Sequence, residues 1–184
     1  MTVRRSALFA LATLLTAASI ASAQDKKVGL TMGYPSSFGV VWHVSEKVAL
    51  RPELSLAGSS AETTAAGFSS ESNSTAIGTG ISALFYLNTA DKLRTYVSPR
   101  FTYSHATTEQ DLSSITNSSA KNTTTSTGGQ GSFGAQYYVS NRFALFGELG
   151  VGFSHTETKS NLTPTKGTSW AWGTRSAVGI IFYP

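Results

Sequence analysis

Two long stretches of this chain alternate in hydrophobicity with a period of two, the pattern of an extended strand whose faces meet different environments. In 75–88, Ile77, Thr79, Ile81, Ala83, Phe85 and Leu87 share one face, while Gly78, Gly80, Ser82, Leu84, Tyr86 and Asn88 share the other. In 142–155 the apolar face is Phe143, Leu145, Gly147, Leu149, Val151 and Phe153; its opposite is Arg142, Ala144, Phe146, Glu148, Gly150, Gly152 and Ser154. The same alternation runs through 48–58 and 93–105, and helical spacing is nearly absent beyond Gln24. The chain therefore reads as all-β.

The N-terminus has a different grammar. Arg4 and Arg5 precede the apolar run 7–18, and Ala21-Ser22-Ala23 supplies a small-x-small cleavage pattern, so 1–23 reads as a secretory signal peptide and 24–184 as one barrel domain. Removing 23 residues from a chain of 184 leaves 161, with twelve basic against ten acidic side chains. That near-balance removes the main support for a nucleic-acid partner. Charged residues are 13% of the chain, about half the usual share of a soluble domain. The absence of cysteine excludes a disulfide scaffold, a thiolate metal site and a thiol nucleophile. No later apolar run approaches the ~18 residues of a helical membrane span.

Connections come in two lengths. Short polar turns fall at 45–47, 88–92 and 140–142, and Ser/Thr/Asn-rich segments at 60–74, 106–127 and 157–167 read as long loops. Their alternation describes strands running up and down with the short turns on one rim. A further turn at 34–37 joins the first two strands. The expected strands are 27–34, 37–45, 47–59, 74–88, 93–107, 125–139, 142–156 and 168–183, an eight-stranded antiparallel up-and-down transmembrane β-barrel with both chain ends on the short-turn side.

Charge and size assign the faces. Arg51, Glu53, Arg94, Arg100, Glu148 and Arg175 all lie opposite the apolar face, among Gly78, Gly80, Ser82, Ser98, Gly134, Gly150, Gly152, Gly173 and Gly179. Small residues suit the crowded inside of an eight-stranded barrel, so the charges are expected to form a lumen polar network with Tyr86, Tyr96, Gln136 and Tyr138. The apolar face then looks outward. Phe143 and Phe153, like Trp172 and Phe182, are ten residues apart, about 25 Å along the axis of a tilted barrel. Trp42, Phe85, Tyr137, Phe143 and Phe182 are expected to form the aromatic girdle near the short turns, and Tyr103, Phe153, Trp170 and Trp172 the girdle near the long loops.

These features resemble the small outer-membrane β-barrel family of Gram-negative bacteria, of OmpA/OmpX type. The likeness rests on the signal peptide and on VGLTMG at 28–33, LRPEL at 50–54, GAQYY at 134–138, RFALFGELG at 142–150 and VGIIFY at 178–183. Family members usually finish on an aromatic residue read by the assembly machinery; this chain places Pro184 after Phe182 and Tyr183. The resemblance implies residence in the outer membrane, contact with its lipid and lipopolysaccharide, engagement of the barrel assembly machinery, and a non-enzymatic structural or surface-interaction role with a surface partner that it does not specify. It implies no cofactor.

Other chemistries find less support. His43, His105 and His155 lie on separate strands, whereas a metal site needs converging ligands. Ser154, His155 and Glu157 contain the residue types of a hydrolase, but Ser154 faces away from the other two. The glycosylation-like triplets at Asn73, Asn117 and Asn122 lie in Ser/Thr/Asn-rich segments where such matches arise easily, and the glycines at 128–131 lack the lysine and helix of a phosphate loop. The alternatives are a soluble periplasmic lipid or small-ligand carrier, a narrow pore and a lipid-modifying enzyme.

Overall fold

A computed structural model describes residues 27–35, 37–65, 68–88, 92–111, 119–161 and 165–184. The 1–23 segment, Asn117 and parts of the turns and loops lie outside the described residues. The strands are β1 (Val28–Tyr34), β2 (Ser37–His43), β3 (Val48–Ala65), β4 (Phe68–Tyr86), β5 (Leu93–Asp111), β6 (Ser119–Ser140), β7 (Phe143–Ser160) and β8 (Lys166–Phe182). Every strand pairs antiparallel with its chain neighbour, and β1 closes the ring against β8. The up-and-down path removes every edge where the ring is complete, which is how a sheet satisfies its backbone without water.

The barrel is polar inside and apolar outside. On β4, Ile77, Ile81 and Phe85 are exposed while Ser82, Leu84 and Tyr86 are buried. On β7, Leu145, Leu149, Val151 and Phe153 are exposed, and Ala144, Phe146 and Glu148 are buried. The buried aliphatic and aromatic residues, among them Val41, Ala49, Leu84, Ala144 and Ile181, cluster with tyrosines near the short-turn end.

Register turns the ten-residue spacings into two rungs. Phe143 stands opposite Phe182, and Phe153 opposite Trp172. The upper rung continues from Phe153 through Gly129 to Phe101, giving an aromatic row across β5 to β8. A Cβ on Gly129 would come within 2.8 Å of the Phe153 ring, so the glycine lets that ring lie against the wall.

The long connections differ from expectation. Much of 60–74, 106–127 and 157–167 is strand, with Ser55–Ser60 paired to Asn73–Gly78 and Ser104–Asp111 paired to Ser119–Ser126. These segments are polar on both faces, so a search for apolar alternation finds no strand in them. Their physical support is the threonine preference for extended backbone and cross-strand hydroxyl pairs. Ser126 and Thr156 hydroxyls are 3.0 Å apart, those of Thr124 and Thr158 3.3 Å, and those of Ser74 and Thr108 3.2 Å. The walls consequently rise well past the upper aromatic rung.

This register has a clean test, because the chain has no cysteine. Thr107 and Thr123 are direct cross-strand partners. The pair Thr107→Cys with Thr123→Cys should form an intramolecular disulfide under mild oxidation, whereas Thr107→Cys with Thr124→Cys, on opposite faces, should not. Labelling of the first pair by a thiol reagent after oxidation would show that the segment is not paired as described.

Candidate functional site: the charged lumen

Inside the ring, successive rows of side chains stack along the axis. One row runs from Arg51 through Ser82, Arg100, Gln130 and Gly152 to Gly173. The row below it on β5 to β8 contains Ser98, Ser132, Gly150 and Arg175. Large groups can share so narrow a space only where neighbours are small. A Cβ on Gly80 would approach the Arg100 Nε to 3.3 Å, and one on Gly134 would enter the Tyr96 ring at 2.5 Å. Gly150 has no room at all, since its Cβ would run into the Gly131 carbonyl oxygen and Ser132.

Four of the six charges converge into one cluster. Arg51 is only 1% exposed. Its Nη2 lies 2.7 Å from Glu148 Oε1, and its Nε lies 3.6 Å from Glu53 Oε1. Glu53 uses its other oxygen to meet Arg100 Nη2 at 2.8 Å. The Tyr96 hydroxyl donates to Glu148 Oε1 at 2.8 Å, and the Arg51 guanidinium rests over the Phe146 ring at 4.9 Å. Two arginines thus enclose two glutamates, so the core of the cluster is neutral. Such a group tolerates burial only while each charge keeps its partner.

Below it, toward the short turns, lies a hydroxyl relay. Tyr86 donates to Gln136 Oε1 at 2.9 Å, Gln136 Nε2 donates to the Tyr183 hydroxyl at 3.0 Å, and that hydroxyl is 3.1 Å from His43 Nε2. Tyr138 joins at 3.4 Å from Tyr183. Arg94 does not reach the carboxylates; it lies over the rings of Tyr86 and Tyr138, 5.8 and 5.3 Å from their centroids.

Arg175 stands apart from the cluster. It lies on the inner face, but its side chain is exposed and has no ion-pair partner among the described residues. Glu148 is on the same side of the lumen, yet is already engaged by Arg51 and Tyr96. Sequence reasoning also passed over Tyr183, which is buried at the centre of the relay, and Phe101, exposed on the upper rung. Both were accessible by continuing the period-two count to the chain end and along β5.

The girdle residues lie on the outer wall. Trp42, Phe85, Tyr137 and Phe182 are exposed near the short turns, with Phe143 partly exposed, and Tyr103, Phe153, Trp170 and Trp172 are exposed near the other rim. The histidines and serine considered for catalysis do not converge: His43 stacks on Tyr86, His105 is 3.2 Å from the Thr125 hydroxyl, and His155 packs on Trp170 outside while Ser154 lines the lumen.

The chain is similar to several solved structures. A major outer membrane protein from Thermus thermophilus superposes with a TM-score of 0.58 at 11% identity, covering 84% of this chain and 97% of that one. CarO of Acinetobacter baumannii gives 0.47 at 11% identity over 85% and 96% of the two chains. Ail, the attachment invasion locus protein of Yersinia pestis, gives 0.41 at 12% identity over 84% and 93%. No family model and no curated sequence matches the chain. The fold is that of a small outer-membrane β-barrel.

The cluster predicts a specific sensitivity. Glu148→Gln keeps the shape but leaves Arg51 short of a counter-charge, and breaking a buried pair typically costs about 3 to 5 kcal/mol. Its unfolding midpoint in urea should fall accordingly. Gly147→Ala is the control, since a Cβ there meets nothing within 4 Å. Equal midpoints for parent and Glu148→Gln would remove the ion-pair account.

Proposed function

We propose that the protein is an integral, non-enzymatic barrel of the Gram-negative outer membrane, with a lumen closed by side chains and a structural or surface-interaction role. The observation that carries this is the inverted polarity: exposed Leu145, Leu149, Val151 and Phe153 outside, buried Arg51, Glu53, Gln136 and Glu148 inside. The two aromatic rungs on β7 and β8 bracket about 25 Å of wall, the height of a lipid-facing band. Outer-membrane lipid and lipopolysaccharide would contact this band, and the barrel assembly machinery would insert it.

The polar hairpins support the surface role. Above the upper rung the wall carries exposed ion pairs, Lys121 with Glu109 at 2.8 Å and Glu157 with Lys159 at 3.0 Å and Lys166 at 2.7 Å. Hydrogen bonds from Lys166 and Lys159 hold the Glu157 carboxyl below the usual carboxylate range. These exposed pairs contribute little stability; they leave a mixed-charge, hydroxyl-rich surface standing outside the membrane, suited to an external partner.

A soluble carrier would need an apolar interior and a solvated exterior. Release of the mature protein by osmotic shock without detergent would favour that alternative. Retention in the outer-membrane fraction is the expected result. For the closed lumen, planar-bilayer recordings of refolded parent protein should stay near background; discrete single-channel steps would favour a pore.

The lipid face supplies a further prediction. Leu149 is 70% exposed and stands between the two rungs, opposite Phe133 and Ser176. Leu149→Arg should destabilise the inserted barrel by roughly 2 to 4 kcal/mol, read as lost resistance to heating in SDS gels. Unchanged migration and midpoint would place this face in water.

A further inference from the structure

The first hairpin is much shorter than its neighbours, and this opens the wall. The last β1–β8 pair is Tyr34 with Val178, and the last β2–β3 pair is Phe38 with Leu54. Above them, among the described residues, Lys166–Ala177 of β8 pairs only with β7, and Ser55–Ala65 of β3 pairs only with β4. The notch is two strand positions wide, and its lower part lies beneath the Phe153–Trp172 rung, within the apolar band. There the outward row of Phe182, Ile180 and Val178 gives way to Ser176 and Thr174 before Trp172. An open, polar strand edge at membrane depth is costly unless something polar meets it.

Behind the notch lies a cavity of about 290 Å³, lined by Pro35, Arg100, Thr102, Gln130, Ser154 and Arg175 among others. Its charges are all positive. Arg51, Glu53 and Glu148 are committed to one another beneath it, and Arg100 shares Glu53 while its Nε has no hydrogen-bond partner among the described residues. Arg175 is exposed and without an ion pair among the described residues. The inner-face positions farther up, such as Ser104, Ser126 and Thr156, are neutral hydroxyls. A guanidinium pair in a partly enclosed, otherwise neutral site selects carboxylate or phosphate oxygens.

We propose that this vestibule binds the anionic headgroup, carboxylate or phosphate, of an amphiphile whose acyl chain leaves through the notch between β3 and β8 into the bilayer. Arg175 and Arg100 hold the oxygens, Thr174 and Ser176 line the polar lip, and the chain joins the apolar band. This rests on the membrane reading, which fractionation tests separately; a barrel that inserts yet binds no such ligand would overturn the vestibule alone.

The test uses the full mature chain refolded in a neutral maltoside detergent, with native mass spectrometry counting bound dodecyl phosphate. The parent should retain this probe, bind inorganic phosphate at least about tenfold more weakly, and ignore dodecyltrimethylammonium. Arg175→Gln should weaken dodecyl phosphate binding by about tenfold or more, and Arg175→Lys should recover part of it. Gly173→Phe adds a ring on β8 opposite the lining residue Gly152, where a Cβ meets nothing within 4 Å, and should also abolish retention. Folding of each variant is read from heat-dependent gel migration; if Gly173→Phe fails to fold, the two Arg175 variants decide the matter. Equal retention by parent and Arg175→Gln, or equal binding of the cationic probe, overturns the proposal. Inorganic phosphate binding as tightly as dodecyl phosphate would overturn the lateral exit of the chain.

Discussion

Eight strands close around a space that side chains alone can fill, and the charges placed in it must find their partners there. Arg51 is the tightest expression of this constraint: almost no solvent contact, Glu148 at 2.7 Å on one side and Glu53 at 3.6 Å on the other. Around it the small residues are a consequence. Gly80 makes way for Arg100, Gly134 for Tyr96, and Gly150 for the backbone of β6. With the polar groups consumed inside, the apolar half of each alternating strand has only the outside to occupy.

Much of this was legible in the sequence because it obeys a period of two. The faces of 75–88 and 142–155, the short turns and the antiparallel order follow from alternation and turn chemistry. So do the ten-residue aromatic intervals, which register converts into the Phe143–Phe182 and Phe153–Trp172 rungs. What alternation cannot reveal is a strand with the same environment on both faces. Thr123–Thr127 and Ser104–Thr108 read as loop, yet they are paired wall. Nor can it reveal depth: Arg51 and Arg175 share the inner face, but one is enclosed by carboxylates and the other stands at an opening made by the shortness of β1 and β2.

The same vertical division runs through the whole barrel. The lower lumen, from the Tyr183 relay to the Arg51 cluster, is packed and cross-linked by hydrogen bonds and ion pairs. The upper wall is hydroxyl-rich and carries its ion pairs outside. Between them, among the described residues, β8 above Val178 pairs only with β7, and Arg175 stands there without an ion pair.

The three tryptophans report on whether the outer wall faces lipid. Trp42, Trp170 and Trp172 are all exposed on that wall, the first near one rim and the others near the opposite one. Single-tryptophan variants, with the other two replaced by phenylalanine, can be refolded into vesicles whose lipids are brominated either near the headgroup or deep in the acyl chains. Trp42 and Trp172 should be quenched most strongly by the shallow bromines and shielded from aqueous iodide. Full accessibility to iodide, with no quenching by either lipid, would contradict a lipid-facing wall.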